Sequence, residues 1–593
     1  MKTSLIILLL FQGCIIFSKT FVRDYTYDAS EMDSKMSCRS IVTNELRVQL
    51  QNEIGSFVES EQIFSIQDLD GDYSEDFSQR IVTLCAGVTE FKILEEKWNG
   101  ETYWMKASIT VDEKDLHRKL KELSKNREKV QELELTKIKL AETEKELMKL
   151  KKEFKNSKNK EELEDRYKAE IAVLSSSEYF NRGLSKSNLD DEQGAIGDYT
   201  KAIELDPNYT LAYSNRAYSK SKLGDEKGAI TDYSKAIELD PNYRSAYNNR
   251  GVSKSKLGDE KGAITDYSKA IELDPNHINA YYNRGLSRSA LDDEKGAIKD
   301  YTKTIKLDPN HSLAYANRAY SKVYLADYKG AIIDYTKAIK LDPRNAVFFN
   351  KRGDAKYYLG DGQGAIQDYT KSIELDPNYK NAHYNRAYSK GDLGDYKGAI
   401  VDYTKAIELD PDNATYFNYR GDSKSNLGDH KGAIVDYTKA IELDPNYQYA
   451  YSNRAYSKGD LGDHKGAIVD YTKAIELDPD NAIYYNNRGY AKSNLDDNRG
   501  AIQDYTKAIQ LNSKHEYSYC NRGESRRKIE DYKGSIEDYS IAIELDSKDG
   551  DAFFGRAETK YITGDIEGAC ADWSNSGELG HENAYEKISK YCQ

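Results

Sequence analysis

Cysteine is scarce in this chain, with six in 593 residues, too few for a fold built on disulfides. Basic excess is absent: the net charge is −14, which argues against a chain that coats nucleic acid by counterion release. Long apolar runs are missing as well. The longest, Leu5 to Phe17, is broken by Gln12 and Gly13 and falls short of the roughly 20 residues that span a bilayer. With a mean hydropathy of −0.81, a polytopic membrane protein is excluded. Proline is limited to nine residues, and they are Pro207, Pro241, Pro275, Pro309, Pro343, Pro377, Pro411, Pro445 and Pro479, each 34 residues after the last. Such spacing means an internal repeat, so the chain is an array and not the four separate domains that roughly 150 residues per domain would suggest.

Catalytic signatures are lacking too. The eight histidines are His117, His277, His311, His383, His430, His464, His515 and His581, and six of them fall in or beside repeat turns. No His-Glu-x-x-His, paired-cysteine metal site, phosphate loop or nucleophile elbow occurs. The sequence therefore names no catalytic residue, no metal and no cofactor, and reads as no enzyme. Asp68, Asp70 and Asp72 alternate as calcium ligands would, but Tyr73 stands where the turn glycine is needed and Gln79 where the bidentate glutamate is needed, leaving a solvated acidic loop.

What is present begins with Lys2 ahead of the apolar run and Ser18 behind it. Residues 1–18 read as a secretory signal peptide, with an uncleaved membrane anchor as the alternative. Cys14 after Gly13 suggests bacterial lipidation, yet apolar residues continue past it and Phe11 sits where a small aliphatic is usual, which disfavours a lipid anchor. Export permits disulfides among Cys38, Cys85, Cys520, Cys570 and Cys592, and no membrane span is expected once the signal is removed.

Residues 19–112 read as a small α+β domain. Met32, Met36, Ile41, Val42, Leu46, Leu50, Ile54, Phe57 and Val58 recur at helical spacing, and two β-rich runs meet at Asn99-Gly100, the strongest short hairpin signal. One hairpin face carries Tyr103, Met105, Ala107, Ile109 and Val111. The stretch Glu96-Lys97-Trp98-Asn99-Gly100 with Tyr103, Lys106 and Ala107 resembles the small modules of bacterial envelope lipoproteins, which implies an extracytoplasmic bacterial setting without catalysis. Residues 113–175 hold no Gly or Pro, and Leu116, Leu123 and Val130 lead into Leu133, Leu140, Leu147 and Phe154 at seven-residue steps. This pattern predicts a long charged helix, serving either as a coiled-coil seam for self-association or as a spacer.

From Ser176, twelve 34-residue units run without insertion to Asn583, and residues 584–593 follow as a capping helix. In a typical unit apolar and small residues at helical spacing flank Leu-Gly-Asp, for example Leu223-Gly224-Asp225, giving two antiparallel helices, and in nine units proline at position 32 closes the second. Gly183 and Ala217 at position 8, Ala195 and Ala229 at 20, Tyr199 and Tyr233 at 24, and Ala202 and Ala236 at 27 resemble the tetratricopeptide repeat. The resemblance implies a mainly α fold, a superhelical solenoid whose concave groove binds peptides or proteins and does no chemistry.

Three positions depart from that family's pattern. Position 7 is Arg in all twelve units, position 11 is Lys or Arg, and position 23 is Asp. An ion pair replacing an apolar contact is expected, as between Arg250 and Asp266 or Arg284 and Asp300, with position 11 sharing the carboxylate. The alternative is a basic ribbon for an anionic ligand. Cys570 and Cys592, on the last unit and the partial helix, are expected within reach of each other, as a disulfide or as a plain buried pair.

Position 6 is asparagine at Asn181, Asn215, Asn249, Asn283, Asn317, Asn385, Asn453, Asn487 and Asn521, interrupted by Lys351, Tyr419 and Gly555, while position 9 varies widely. By the resemblance, this face lines the groove, and a ladder of amides could read the main chain of an extended peptide. The competing reading has each Asn bonded to the preceding turn or the next helix. Two functions are carried forward: a scaffold binding peptide or protein ligands in an exported, periplasmic or cell-envelope setting, and a structural spacer or coiled-coil oligomer.

Overall fold

The computed structural model describes residues 18–31, 33–60, 89, 91–112, 116, 118, 127–154, 160–188 and 190–592. The apolar run with Cys14, the Asp68–Asp72 alternation and Cys85 lie outside these residues. The chain divides into two compact parts, residues 1–309 and 310–593.

The first part opens with strand β1 (Ser18–Asp28), helix α1 (Lys35–Ser60), and strands β2 (Phe91–Trp98) and β3 (Thr102–Asp112). The antiparallel sheet has the order β1-β3-β2. Asn99 Oδ1 accepts from the Glu101 and Thr102 N–H groups at 2.9 and 2.7 Å, and Gly100 supplies the left-handed residue of the turn, at φ +100°. Trp98 then pairs with Tyr103. Period two puts Tyr103, Met105, Ala107, Ile109 and Val111 on one face of β3, all buried, and the helical period puts Cys38, Val42, Leu46, Leu50 and Ile54 of α1 against them. Strand β1 is an addition to the sequence reading, which anticipated only the hairpin. Met36 is a correction: at 65% exposure it lies off the helix face assigned to it.

The single long helix expected over 113–175 is also corrected. Two helices occupy this stretch, α2 (Arg127–Phe154) and α3 (Lys160–Asn188), and Arg166 Nη2 lies 2.5 Å from Glu146 Oε1. In a straight helix those residues would be about 30 Å apart, so the chain folds back. Leu147, Leu150 and Phe154 bury themselves against Leu163, Tyr167, Ile171 and Leu174. Seam residues Leu147 and Phe154 are thereby consumed within the chain. Leu116 sits in the core of the α+β module, while the side chains of Leu123, Val130, Leu133 and Leu140 lie outside the described residues. The buried Asp33 carboxylate locks hairpin to module, taking Lys151 at 3.0 Å and the Tyr27 hydroxyl at 3.0 Å, along with the Tyr167 hydroxyl. Burial pushes the Lys151 ammonium down to about 8. Helix α3 continues unbroken into the first unit, so residue 175 is no structural boundary.

Within both parts the units are alike: a first helix A and a second helix B, as in Thr210–Lys222 with Glu226–Leu239, or Gln448–Asp460 with His464–Leu477. Asp at position 16 caps helix B, its Oδ1 accepting from the position-19 N–H at 2.8–3.0 Å in every unit. Position 19 is Gly because the capping carboxylate stands 2.0–2.4 Å from where a Cβ would be. Position 15 turns the chain at φ +79° to +91° in the seven units with Gly there, while Asp190, Asp292, Ala326, Asp496 and Glu530 are held at φ +59° to +68°. Alanines at 20 and 27 and tyrosine at 24 fill the space between helices.

Candidate functional site

The twelve arginines of position 7 do not face a ligand. Each reaches the position-23 aspartate of its own unit, Nη2 to Oδ1, at 2.5–2.8 Å. The position-11 cation takes Oδ2 of the same carboxylate at 2.7–2.9 Å in all twelve units. Arg250 with Asp266 and Arg284 with Asp300 are two of these, each bidentate through Nε and Nη2. In at least ten units the third nitrogen, Nη1, donates to the Ser or Thr hydroxyl at position 25 of the preceding unit at 3.0–3.1 Å, as Arg250 does to Ser234. An aromatic ring at position 4 covers the guanidinium at 4.8–5.7 Å. His383 takes that place in the seventh unit. Burial alone would push the Asp402 carboxyl up, but hydrogen bonds from His383, Arg386 and Lys390 outweigh it and hold the group well below the usual carboxylate range. The basic side chains at positions 7 and 11 are thus joined to buried acids, and no basic ribbon is left from them.

With these charges committed, the A-helix face keeps the position-6 asparagines and, at Tyr218, Tyr320, Tyr388, Tyr456 and Tyr490, a tyrosine at position 9. Within each part the A helices of successive units touch one another more closely than the B helices do. The nine position-6 asparagines are all half-buried. Asn215 donates to its own helix at Leu211 O, 3.0 Å away. Asn283, Asn385, Asn453 and Asn521 donate to the position-5 asparagine of the preceding unit, Asn248, Asn350, Asn418 and Asn486, at 3.2–3.3 Å. Asn249 and Asn487 accept from Asn248 and Asn486 at 2.9 and 3.2 Å. Asn181 and Asn317 lie on the same helical face, also half-buried.

Asn385 and Asn453 depart from the ladder reading. Each spends a second donation on the position-9 aspartate of the preceding unit, Asp354 or Asp422, at 2.8 Å. Both N–H groups are then used, and only the carbonyl remains to meet a peptide. Asp354 has Lys351 as a cationic partner at 3.1 Å. Asp422 has none among the described residues. It accepts from Tyr437 at 2.8 Å, Asn453 at 2.8 Å and Asn418 at 3.2 Å, and burial pushes its carboxyl up to about 6 against the pull of the bonds from Tyr437 and Asn453.

In the second part a cavity of about 590 Å³ opens on the A-helix face of the sixth to eighth units. Lys351 and Tyr419, read from sequence as gaps in the asparagine ladder, both line it, as do Asp354, Asn385 and Tyr388. The signal that could have found it is the departure of position 6 from Asn in the two units that flank Asn385, together with an acid at position 9 of the same two units.

Cys570 and Cys592 form a disulfide with their α-carbons 5.7 Å apart, tying the last helix (Ala584–Tyr591) over Trp573. Cys38 and Cys520 are free thiols. His277 and His311 cap their helices, accepting from Ala280 and Ala314 N–H at 3.3 and 3.2 Å. Among the described residues no group of three or more His, Cys, Asp or Glu is placed to hold a metal ion, and no helix is long and apolar enough to cross a membrane.

Tetratricopeptide repeat models match residues 179–209, 221–258, 255–292, 278–311, 313–345, 353–391, 381–413, 415–447, 459–496 and 482–515. No curated protein matches the chain. Of solved structures, the MamA protein is 26% identical, over 29% of this chain and 94% of its own, with a TM-score of 0.28. YrrB, described as a tetratricopeptide repeat protein with an unusual peptide-binding site, is 23% identical over 31% of this chain and 95% of its own, at TM-score 0.28. Yeast Tom70 is 20% identical over 70% of this chain and 93% of its own, at TM-score 0.31. Because the family's models together cover just over half of the residues, and the remaining units repeat the same helix pair with the same buried positions, the chain belongs to the tetratricopeptide repeat family.

Proposed function

We propose that the chain is a non-catalytic protein-interaction scaffold of the bacterial cell envelope, holding extended peptide or protein ligands on its A-helix face. One observation carries the reading: the charges at positions 7, 11 and 23 of every unit are spent on one another around a buried aspartate, which leaves the A-helix face with the position-6 asparagines and, in several units, an exposed tyrosine at position 9. Tyr218, Tyr320, Tyr456 and Tyr490 at position 9 are 44–57% exposed. Amphipathic aromatic surface of this kind is what protein interfaces are enriched in. The amino-terminal apolar run supports export, and so does the Cys570–Cys592 disulfide, a bond that persists in oxidising compartments. The spacer reading loses ground because Leu147 and Phe154 are buried within the chain.

Asn215, Asn249 and Asn283 replaced together by Ala supply the test. Binding of peptides taken from envelope proteins should weaken at least tenfold, about 1.4 kcal/mol, with helicity by circular dichroism unchanged. Unaltered affinity, or lost helicity, would assign the asparagines to structure.

A further inference from the structure

The cavity of the sixth to eighth units is chemically unlike the rest of the A-helix face. Its wall is a run of tyrosine rings in edge-to-face contact: Tyr357 to Tyr388 at 5.6 Å and Tyr388 to Tyr419 at 5.4 Å between centroids. These rings come from positions 12, 9 and 6 of three successive units, a diagonal that the 34-residue period does not repeat elsewhere, since position 12 is Tyr only at Tyr357 and Tyr561 and position 6 only at Tyr419.

Besides the rings the cavity is lined by amides, hydroxyls, Lys351 and a single carboxylate. The one carboxylate, Asp354, is already occupied by Lys351 at 3.1 Å, Asn385 at 2.8 Å and the Tyr369 hydroxyl at 3.1 Å. Asn413 Oδ1 is taken by the Thr415 N–H at 3.1 Å. Asn350 lines the cavity at 1% exposure; its Oδ1 accepts from Asn385, and its Nδ2 has no hydrogen-bond partner. A buried donor left unpaired costs about 1–3 kcal/mol, and here a ligand acceptor would remove that cost. Lys351 adds further donors, its side chain 41% exposed and only one partner engaged.

Aromatic faces, the spare donors of Asn350 and Lys351 and a carboxylate already filled, with the Asn385 carbonyl as a free acceptor, suit a ligand with ring or methylene surface, many carbonyls and few N–H groups. A proline-rich segment has that chemistry. Proline carries no N–H, its ring packs flat on tyrosine, and polyproline II leaves every carbonyl free and extends at ~3.1 Å per residue. Such segments dock in aromatic-lined grooves with little ordering cost. We propose that this cavity binds a proline-rich segment of a partner protein in the polyproline II conformation. The inference rests on the scaffold reading and narrows it to one ligand class at one site. The chain cannot supply this segment itself from its nine prolines, since they are spaced 34 residues apart.

The test uses the full chain with fluorescein-labelled decaproline and a Gly-Ser decapeptide of equal length, read by fluorescence anisotropy. Decaproline should bind saturably, and the Gly-Ser peptide at least tenfold more weakly. Tyr388→Ala should weaken decaproline at least tenfold, and Lys351→Asn, which restores the ladder residue, about threefold or more. Val435→Ala, on the exposed face of helix B of the eighth unit, should leave binding unchanged. Absence of saturable decaproline binding, equal binding of both peptides, indifference to Tyr388→Ala, or tighter binding of a chitin oligosaccharide would each overturn the proposal. If Tyr388→Ala lost helicity, Lys351→Asn would decide. Non-proline peptides that bind through Asn215, Asn249 and Asn283 would sink this inference while leaving the scaffold standing.

Discussion

Asp422 offers the sharpest quantitative test of the structure. Its carboxyl titrates near 6 in the folded chain because it is buried without a cation, against roughly 4 when unfolded. Going from roughly 4 to about 6 at 1.4 kcal/mol per pH unit, the ionised form costs about 3 kcal/mol at neutral pH. The sign follows from proton binding. Between pH 4 and 6 the native chain holds the proton and the unfolded chain releases it, so this group's contribution to stability is full below pH 4 and is lost as pH rises through 6. Asp422→Asn removes the charge and keeps an oxygen for Tyr437 and Asn453. It sets a donor against the Asn418 amide, which now donates to Asp422 at 3.2 Å, for a penalty of about 1 kcal/mol at any pH. The variant should therefore be more stable by about 2 kcal/mol at pH 7 and less stable by about 1 kcal/mol at pH 4. Repeat arrays open locally, so the assay is amide hydrogen exchange of the eighth unit's helices, Ala414–Asn426 and His430–Leu443. Variant and parent are compared at each pH, which cancels intrinsic exchange rates and every contribution the two chains share. A difference that stays constant to within about 0.5 kcal/mol from pH 4 to 7 would refute the buried, unpaired carboxylate.

Asp266→Asn should destabilise the third unit by about 3 kcal/mol, because it leaves Arg250 and Lys254, both mostly buried, without their shared anion; denaturant titration followed by exchange in that unit measures it, and a loss under 1 kcal/mol would assign the triad to the solvated class of ion pairs. Ala326→Gly should stabilise the fifth unit by about 1 kcal/mol in the same assay, since Ala326 is held at φ +59°, where a Cβ is unfavourable.

Features of this chain that recur at fixed short spacing were readable from the letters. Arg at 7 and Asp at 23 lie on neighbouring helices of one unit, and their joint recurrence in twelve units made a contact the economical reading, as did Tyr at 24 and Ala at 20 and 27 for the core. Strand β1 was not readable: it starts at the end of the signal-like segment, carries Arg23 and Asp24 in its middle, and pairs with residues more than 70 positions away. The α2–α3 turnback was hidden for another reason. Lys155, Asn156, Ser157, Lys158 and Asn159 hold neither Gly nor Pro, so no letter marked an end to the charged helix after Phe154. Tyr357, Tyr388 and Tyr419 share no repeat position, and their contact is a diagonal across three units that a period of 34 conceals. The asparagines were found as a row, but whether each amide is spent depends on position 9 of the unit before, as Asp354 and Asp422 show.

The arginine that crosses from one unit to the hydroxyl of the unit before has a genetic consequence. Because the same plug meets the same socket at ten or more junctions, the joint does not record which two units it joins. Recombination between near-identical stretches such as 381–413 and 449–481 removes or adds 68 residues in register, and the new junction again brings an arginine to a threonine. Length can therefore drift between lineages with each product folding on the joints it inherits, whereas a gain or loss that is not a whole number of units strands a guanidinium and is purged. The cavity of the sixth to eighth units has no such protection. A cavity assembled from three unlike units, as at Tyr357, Tyr388 and Tyr419, is destroyed by any exchange within it, so selection on that ligand would show as a block of the array in which unit order is kept while the count around it varies.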